Sequence, residues 1–177
     1  MSQAKMDAVA LLKADHRKVE GLFEKYESAK GFDRKAALVK EICTELCVHA
    51  TIEEEIFYPA CKGKVEDDLL DESYVEHDGA KVLISELISG KPDHAFYDAK
   101  VKVLSEEIEH HVKEEEKRGE GLFAQARDAG LDLEALGAQM AERKEELLAK
   151  FEAEGLPAPE TRSFTGHTLE QGQPVAG

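Results

Sequence analysis

The stretch VKEICTELCVHATIEEEIFYPA, residues 39–60, decides the fold. Val39, Ile42 and Leu46 step by three and four residues and Ile56 resumes the series, the spacing of one face of an α-helix. His49 and Glu53 fall in line with them on the same face, and Ala60 continues it. A face of this kind packs inward. A buried, unpaired carboxylate is costly, so it is paired, protonated or metal-bound. The stretch therefore reads as a core helix that carries an imidazole and a carboxylate into the interior.

Three further stripes have the same character. Val9, Leu12, His16, Val19, Phe23 and Tyr26 form one, and Tyr97, Val101, Leu104, Ile108, His111 and Glu115 another. Leu70, Tyr74, His77, Lys81, Ile84 and Ile88 are a looser third that puts His77 on an inward face. The four also repeat as two pairs. Asp15-His16 is echoed 61 residues later by Glu76-His77 (16 to 77), and His49-x-x-x-Glu53 is echoed 62 residues later by His111-x-x-x-Glu115 (49 to 111). Two helical hairpins of one design would face each other across a pseudo-two-fold axis, with similar ligand sets opposite one another, as a two-metal centre requires.

Turn signals divide the chain into five helices, expected over roughly 5–29, 33–61, 66–89, 93–127 and 132–154. Gly31 with Asp33, Gly63, Gly90-Lys-Pro92-Asp93 and Gly130-Leu-Asp132 supply the stops and caps. No strand-like alternation appears, so the fold class is all-α, and short connections make sequential helices antiparallel. The fifth helix has its own stripe, Leu133, Leu136, Met140, Leu147 and Phe151, without inward His or Glu. It is expected to pack outside the bundle or to form a homodimer or partner-protein contact. Three units follow: 1–130, the helical bundle; 131–155, the additional C-terminal helix; and 156–177, a Gly- and Pro-containing, flexible, disordered tail with little apolar surface to bury.

The composition sets limits. At 42% hydrophobic the chain can bury a real core, and 34% charged residues with a net charge of −15 oppose nucleic acid or an anionic membrane as partner. No run of about 18 apolar residues exists to cross a membrane, and residues 1–14 lack an export signal, so the cytoplasm is expected. Cys43, Cys47 and Cys61 do not have the spacing of a disulfide framework and read as small buried residues in a reducing compartment. Cys43 and Cys47, one turn apart, are alternatively a redox pair.

The candidate metal ligands are His16, His49, Glu53, His77, His111 and Glu115. Histidine and glutamate four residues apart project from adjacent turns of one face. The mixture of imidazole and carboxylate without cysteine favours iron. Each glutamate can bridge two ions, with His16 and His49 assigned to one metal and His77 and His111 to the other. Glu54, Glu55, Glu114 and Glu116 read as a solvated face, and Tyr58 and Tyr74 as packing residues within reach of the centre. Asp15 and Glu76 either orient a histidine or lie at the surface. His110 is off the stripe, and His94 and His167 read as exposed.

The set Asp15-His16, His49-Ala-Thr-Ile-Glu53-Glu54-Glu55 with Ile56-Phe57-Tyr58-Pro59, Glu76-His77, and His110-His111-Val-Lys-Glu-Glu115-Glu116 with Gly121-Leu122-Phe123 resembles the hemerythrin-like family, the HHE cation-binding domain, over residues 5–128. The resemblance implies an up-down-up-down four-helix bundle around two non-haem, carboxylate-bridged iron ions. Two departures stand out. The oxygen-carrying members have a second histidine one turn from the third-helix ligand, where this chain has Ser73 and Lys81. About three extra residues around Lys117–Gly119 are expected to distort the fourth helix past Glu115. Both argue against simple reversible oxygen carriage. The leading expectation is a cytoplasmic di-iron protein engaging a small diatomic ligand (O2 or NO) or peroxide, for sensing, scavenging or stress protection, and more a binding protein than a turnover enzyme. The alternatives are a di-iron peroxidase or oxidase, and a metal-locked regulatory module.

Overall fold

The computed structural model describes residues 6–164, and every described element is helical. Helix α1 spans Ala8–Ser28 and begins at Asp7, whose carboxylate accepts the Ala10 amide at 2.7 Å. Helix α2, Phe32–Ile52, follows after Gly31, which adopts φ 86°. It runs through a π-helical turn, Glu53–Phe57, into the short α3, Tyr58–Cys61. Helices α4, Asp67–Ser89, and α5, Tyr97–Glu116, form the second hairpin. Then come α6, Leu122–Asp128, and α7, Leu133–Glu154, which Asp132 caps through the Ala135 amide.

α1 packs on α2, α4 on α5, α2 on α4 and α1 on α5, which closes a four-helix bundle. α7 lies outside it against α1 and α2. Met140 and Leu147 are the buried teeth of α7. Gly137 brings it so close to the backbone of residues 6–8 that a β-carbon there would overlap that backbone.

Three expectations are corrected. The second helix is not one α-helix: the π turn shifts the apolar stripe by one residue, so Phe57 and Cys61 are buried and Ile56 and Ala60 are only half-buried. The fourth helix starts at Tyr97, after a turn through Pro92 and His94 that ends with Phe96 at φ 68°. It also stops at Glu116. Gly121 folds back so tightly that a β-carbon there would overlap the carbonyl oxygens of Glu114 and Glu115, and the helix resumes as α6. The inserted residues thus break the helix where the sequence locates the distortion.

The segment expected to be a flexible tail divides in two. Residues 156–164 run back along the bundle, where Asp78 accepts hydrogen bonds from the Arg162 amide at 2.8 Å and the Ser163 amide at 2.6 Å. Residues 165–177, including His167, lie outside the described residues.

The core has two apolar halves. One gathers Leu12, Ile52, Phe57, Phe123 and Met140, and the other Leu22, Leu38, Ile42, Ile84 and Leu104. Between them runs a polar belt at the mid-height of the four helices.

Candidate metal centre

The belt contains all six residues singled out from the sequence, each buried. His16 is on α1, His49 on α2, Glu53 at the start of the π turn, His77 on α4, and His111 and Glu115 on α5. The imidazoles meet in pairs: His16 Nε2 is 3.1 Å from His49 Nε2, and His77 Nε2 is 3.2 Å from His111 Nε2. Each glutamate reaches one ring of each pair. Glu53 Oε2 lies 3.2 Å from both His49 Nε2 and His77 Nε2. Glu115 Oε2 lies 3.4 Å from His16 Nε2 and 3.5 Å from His111 Nε2. Ligand atoms of His16, His49, Glu53 and Glu115 converge in one cluster, and those of Glu53, His77 and His111 in a second.

A carboxylate stands behind each imidazole. His16 Nδ1 is 2.7 Å from Glu116, His77 Nδ1 3.0 Å from Glu54, and His111 Nδ1 2.7 Å from Glu76. His49 Nδ1 faces Asp15 at 3.5 Å, an ionic distance. On His16, His77 and His111 the Nδ1 hydrogen bond to a carboxylate favours a proton there and turns Nε2 toward the centre, the pattern of metal-binding histidines, whereas His49 Nδ1 makes no hydrogen bond. The pairing respects the repeat: Asp15 and Glu76 each serve a histidine of their own hairpin, while Glu54 and Glu116 each reach across to the other.

Sequence reasoning left the Asp15 and Glu76 roles open and missed Glu54 and Glu116. Glu54 is buried, bonded to His77 and to Lys81 Nζ at 2.7 Å, and Glu116 also takes Arg17 at 2.8 Å. Both sit beside an inward glutamate, about 100° round a helix, where a periodic reading looks for solvent. The only advance signal was the repeat itself, which places the two in equivalent positions. Glu55 is exposed and pairs with Arg143 at 2.8 Å, as a solvated face should. His110 is exposed, 3.4 Å from Glu76.

Tyr58, read from the sequence chiefly as packing, is at the centre. Its hydroxyl lies 2.9 Å from Glu115 Oε1, 3.2 Å from Glu53 Oε2 and 3.2 Å from His77 Nε2. Residues five apart on an α-helix diverge by about 140°. In the π turn the Tyr58 amide bonds back to the Glu53 carbonyl, so residue 58 stacks over residue 53 instead. Tyr58 also stacks on His77, with ring centroids 5.4 Å apart. In the other hairpin Phe123 stacks on His16 at 5.8 Å, so the symmetry-related position has no hydroxyl. Ser73 bonds to the Leu69 carbonyl, and Lys81 engages Glu54 and Asp78.

Charge is concentrated here. Burial alone would lower the basicity of His49, but the Glu53 and Asp15 carboxylates outweigh it and raise its pKa to about 10. His77 is raised to about 9 by Glu53 and Glu54 against the same burial. Burial pushes the Glu53 pKa upward, and the His49 and His77 rings overcome it and hold it well below the usual carboxylate value. The Tyr58 phenol is pushed well above its usual value by burial and by Glu115 and Glu53.

The donor set fits metal cations. Glu53 Oε1 and Glu115 Oε2 are buried and accept no hydrogen bond. An unsatisfied buried acceptor costs about 1–3 kcal/mol, more when charged. Four Nε2 lone pairs converge on the same space. Lone pairs and carboxylates repel one another unless positive charge lies between them, and bound metal cations would supply it.

Antiparallel helices that close a buried belt of imidazoles and carboxylates define a metal-binding helical bundle. The chain belongs to the hemerythrin HHE cation-binding domain family, which matches residues 7–126. A solved hemerythrin HHE cation-binding domain-containing protein from Mycobacterium kansasii superposes with a TM-score of 0.69 at 26% identity, covering 85% of this chain and 95% of that one. The chain is also 26% identical over 123 residues to a protein of Nostoc sp. named DNA nickase, a match over 70% of this chain and 34% of the nickase. The chain thus spans about a third of that relative's length.

Proposed function

We propose that the protein holds two iron ions and uses them in the cytoplasm to engage O2, NO or peroxide, for sensing, scavenging or stress protection. His16, His49, Glu53 and Glu115 would hold one ion, and Glu53, His77 and His111 the other, with the Tyr58 hydroxyl beside the second. Glu53 and Glu115 would be shared. The observation that carries this reading is the pair of glutamates, each within 3.5 Å of a histidine of both pairs and each with a buried oxygen that accepts no hydrogen bond. Imidazole with carboxylate suits iron better than a thiolate set would, and no cysteine enters either cluster.

Bound iron would supply reversible one-electron chemistry and an open position for a small ligand. The rest falls to this chain's own residues. Asp15, Glu54, Glu76 and Glu116 hold the four rings in orientation. Tyr58 holds a proton at its hydroxyl, 2.9 Å from Glu115, where it can donate a hydrogen bond to a ligand arriving at the centre. Phe57 and Phe123 seal one end of the belt from water. The asymmetry between Tyr58 and Phe123 favours ligand engagement on the His77 side.

A nicking activity is not proposed. An excess of acidic over basic residues giving −15 works against a polyanionic substrate. The test is the visible spectrum of the anaerobically iron-loaded protein before and after O2, NO, hydrogen peroxide or azide. The reading expects new absorption bands with at least one of these ligands. A spectrum unmoved by all four would rule out an open iron position.

A further inference from the structure

A cavity of about 470 Å3 opens from the centre. His16, His49, His77 and His111 form its inner end. Within the bundle its walls are Val19, Leu46, Ala80, Ile84 and Ile108, drawn from all four helices. Its outer part runs beneath α7 and the final segment, past Leu147, Phe151, Pro157 and Pro159. Arg143 and Arg162 stand at the rim.

The size and the walls do not suit a diatomic ligand or hydrogen peroxide. Each of those occupies about the space of one water, roughly 30 Å3, whereas sites for organic molecules run from roughly 300 to 1,000 Å3. Metal ions would take only the end where the histidines converge. The aliphatic walls offer water few of the polar partners that a buried water needs. An open cleft of this size with aliphatic walls leading to a polar centre is shaped to take an apolar body out of water. The rim also bears on charge. Arg143 is held by Glu55, and Arg162 by Glu54 at 3.0 Å. Lys150 and Glu160 also line the opening, so its charges balance. That favours an uncharged body over an anionic one.

We propose that the peroxide engaged by this centre is an organic one, R–OOH, with an uncharged apolar R of several carbon atoms lodged in the cavity and the hydroperoxide end facing the histidines. The assignment rests on the reading of the centre as a metal site that engages peroxide, and it adds the class of substrate.

Two measurements on the full chain test it. The first uses 2-phenylpropan-2-ol, which mimics R–OH and is not reduced, against the zinc-loaded protein, where no redox chemistry intrudes. Calorimetry should show saturable binding. Ala80→Phe and Ile108→Phe should each weaken it by about tenfold or more, equivalent to roughly 1.4 kcal/mol, while zinc content stays unchanged and reports an intact fold. The second follows the spectrum of the iron protein with cumene hydroperoxide and with hydrogen peroxide. The organic peroxide should react at least as fast, and both variants should slow it without slowing hydrogen peroxide. Absence of saturable alcohol binding overturns the proposal. So does a wild-type protein that reacts with hydrogen peroxide alone, or variants that slow both peroxides equally. If zinc protein binds the alcohol but neither peroxide alters the iron protein, the organic site stands and the peroxide reading of the centre falls.

Discussion

At the scale of single residues, the centre has an inner ring of six side chains and an outer ring of four carboxylates, and the two rings differed in legibility. The inner ring lies on apolar stripes, and 3.6-residue periodicity exposes it. Glu54 and Glu116 lie one residue off those stripes, and no spacing rule separates a carboxylate that supports a histidine from one that faces water. Tyr58 escaped because the rule assumes an α-helix and residues 53–58 are not one. The two rings should respond differently to mutation. Glu53→Ala or Glu115→Ala removes a shared ligand, and each variant should lose most of its metal. Glu54→Ala or Glu116→Ala removes only an orienting partner, so stoichiometry should persist with affinity about 10–100-fold weaker. Metal analysis with chelator competition distinguishes the two classes. Equal loss in all four variants would erase the distinction between the rings.

At the scale of elements, the long apolar patterns gave helix order and antiparallel pairing because helices bury stripes whatever their neighbours, but not the number, since the second and fourth of the five expected helices each break in two. Irregular features were harder to read. The π turn costs nothing visible in composition, and the turn before α5 placed its start four residues later than Asp93 suggested. The break at Glu116 was legible, because comparing the two halves of the chain exposes inserted residues. The final segment was not. Its Gly and Pro content signals poor core-forming ability, and it instead docks through polar contacts to the buried Asp78 and Glu54. Truncation after Gly155 should therefore leave two metals per chain but speed their removal by chelator about tenfold, since Glu54 loses Arg162 and supports His77 less firmly. Wild-type stripping kinetics in the truncated chain would show that the segment does not support the centre.

At the scale of the whole molecule, two hairpins of one design enclose a concentration of charge that only cations can balance. Protons serve when metal is removed, which gives the chelated protein a distinct pH dependence. His49 and His77 have pKa values of about 10 and about 9 in the fold, against 6.5 ordinarily. A raised folded-state pKa stabilises fully below the unfolded value and is lost as pH rises through the folded one. The melting temperature of the chelated protein should therefore fall between about pH 6.5 and about 10, while metal, which replaces those protons, should hold it level. A chelated protein whose melting temperature is constant or rises across that window would contradict the assignment of those protons. Among the described residues no helix is long and apolar enough to cross a membrane. The central claim is the two-ion centre, and the most direct measurement is metal analysis of the full chain after anaerobic iron reconstitution and removal of loose ions. The expected result is two irons per chain in the wild type, with most of both lost in Glu53→Ala, because that carboxylate touches both histidine pairs. One iron per chain or none in the wild type, or two retained in Glu53→Ala, would contradict it.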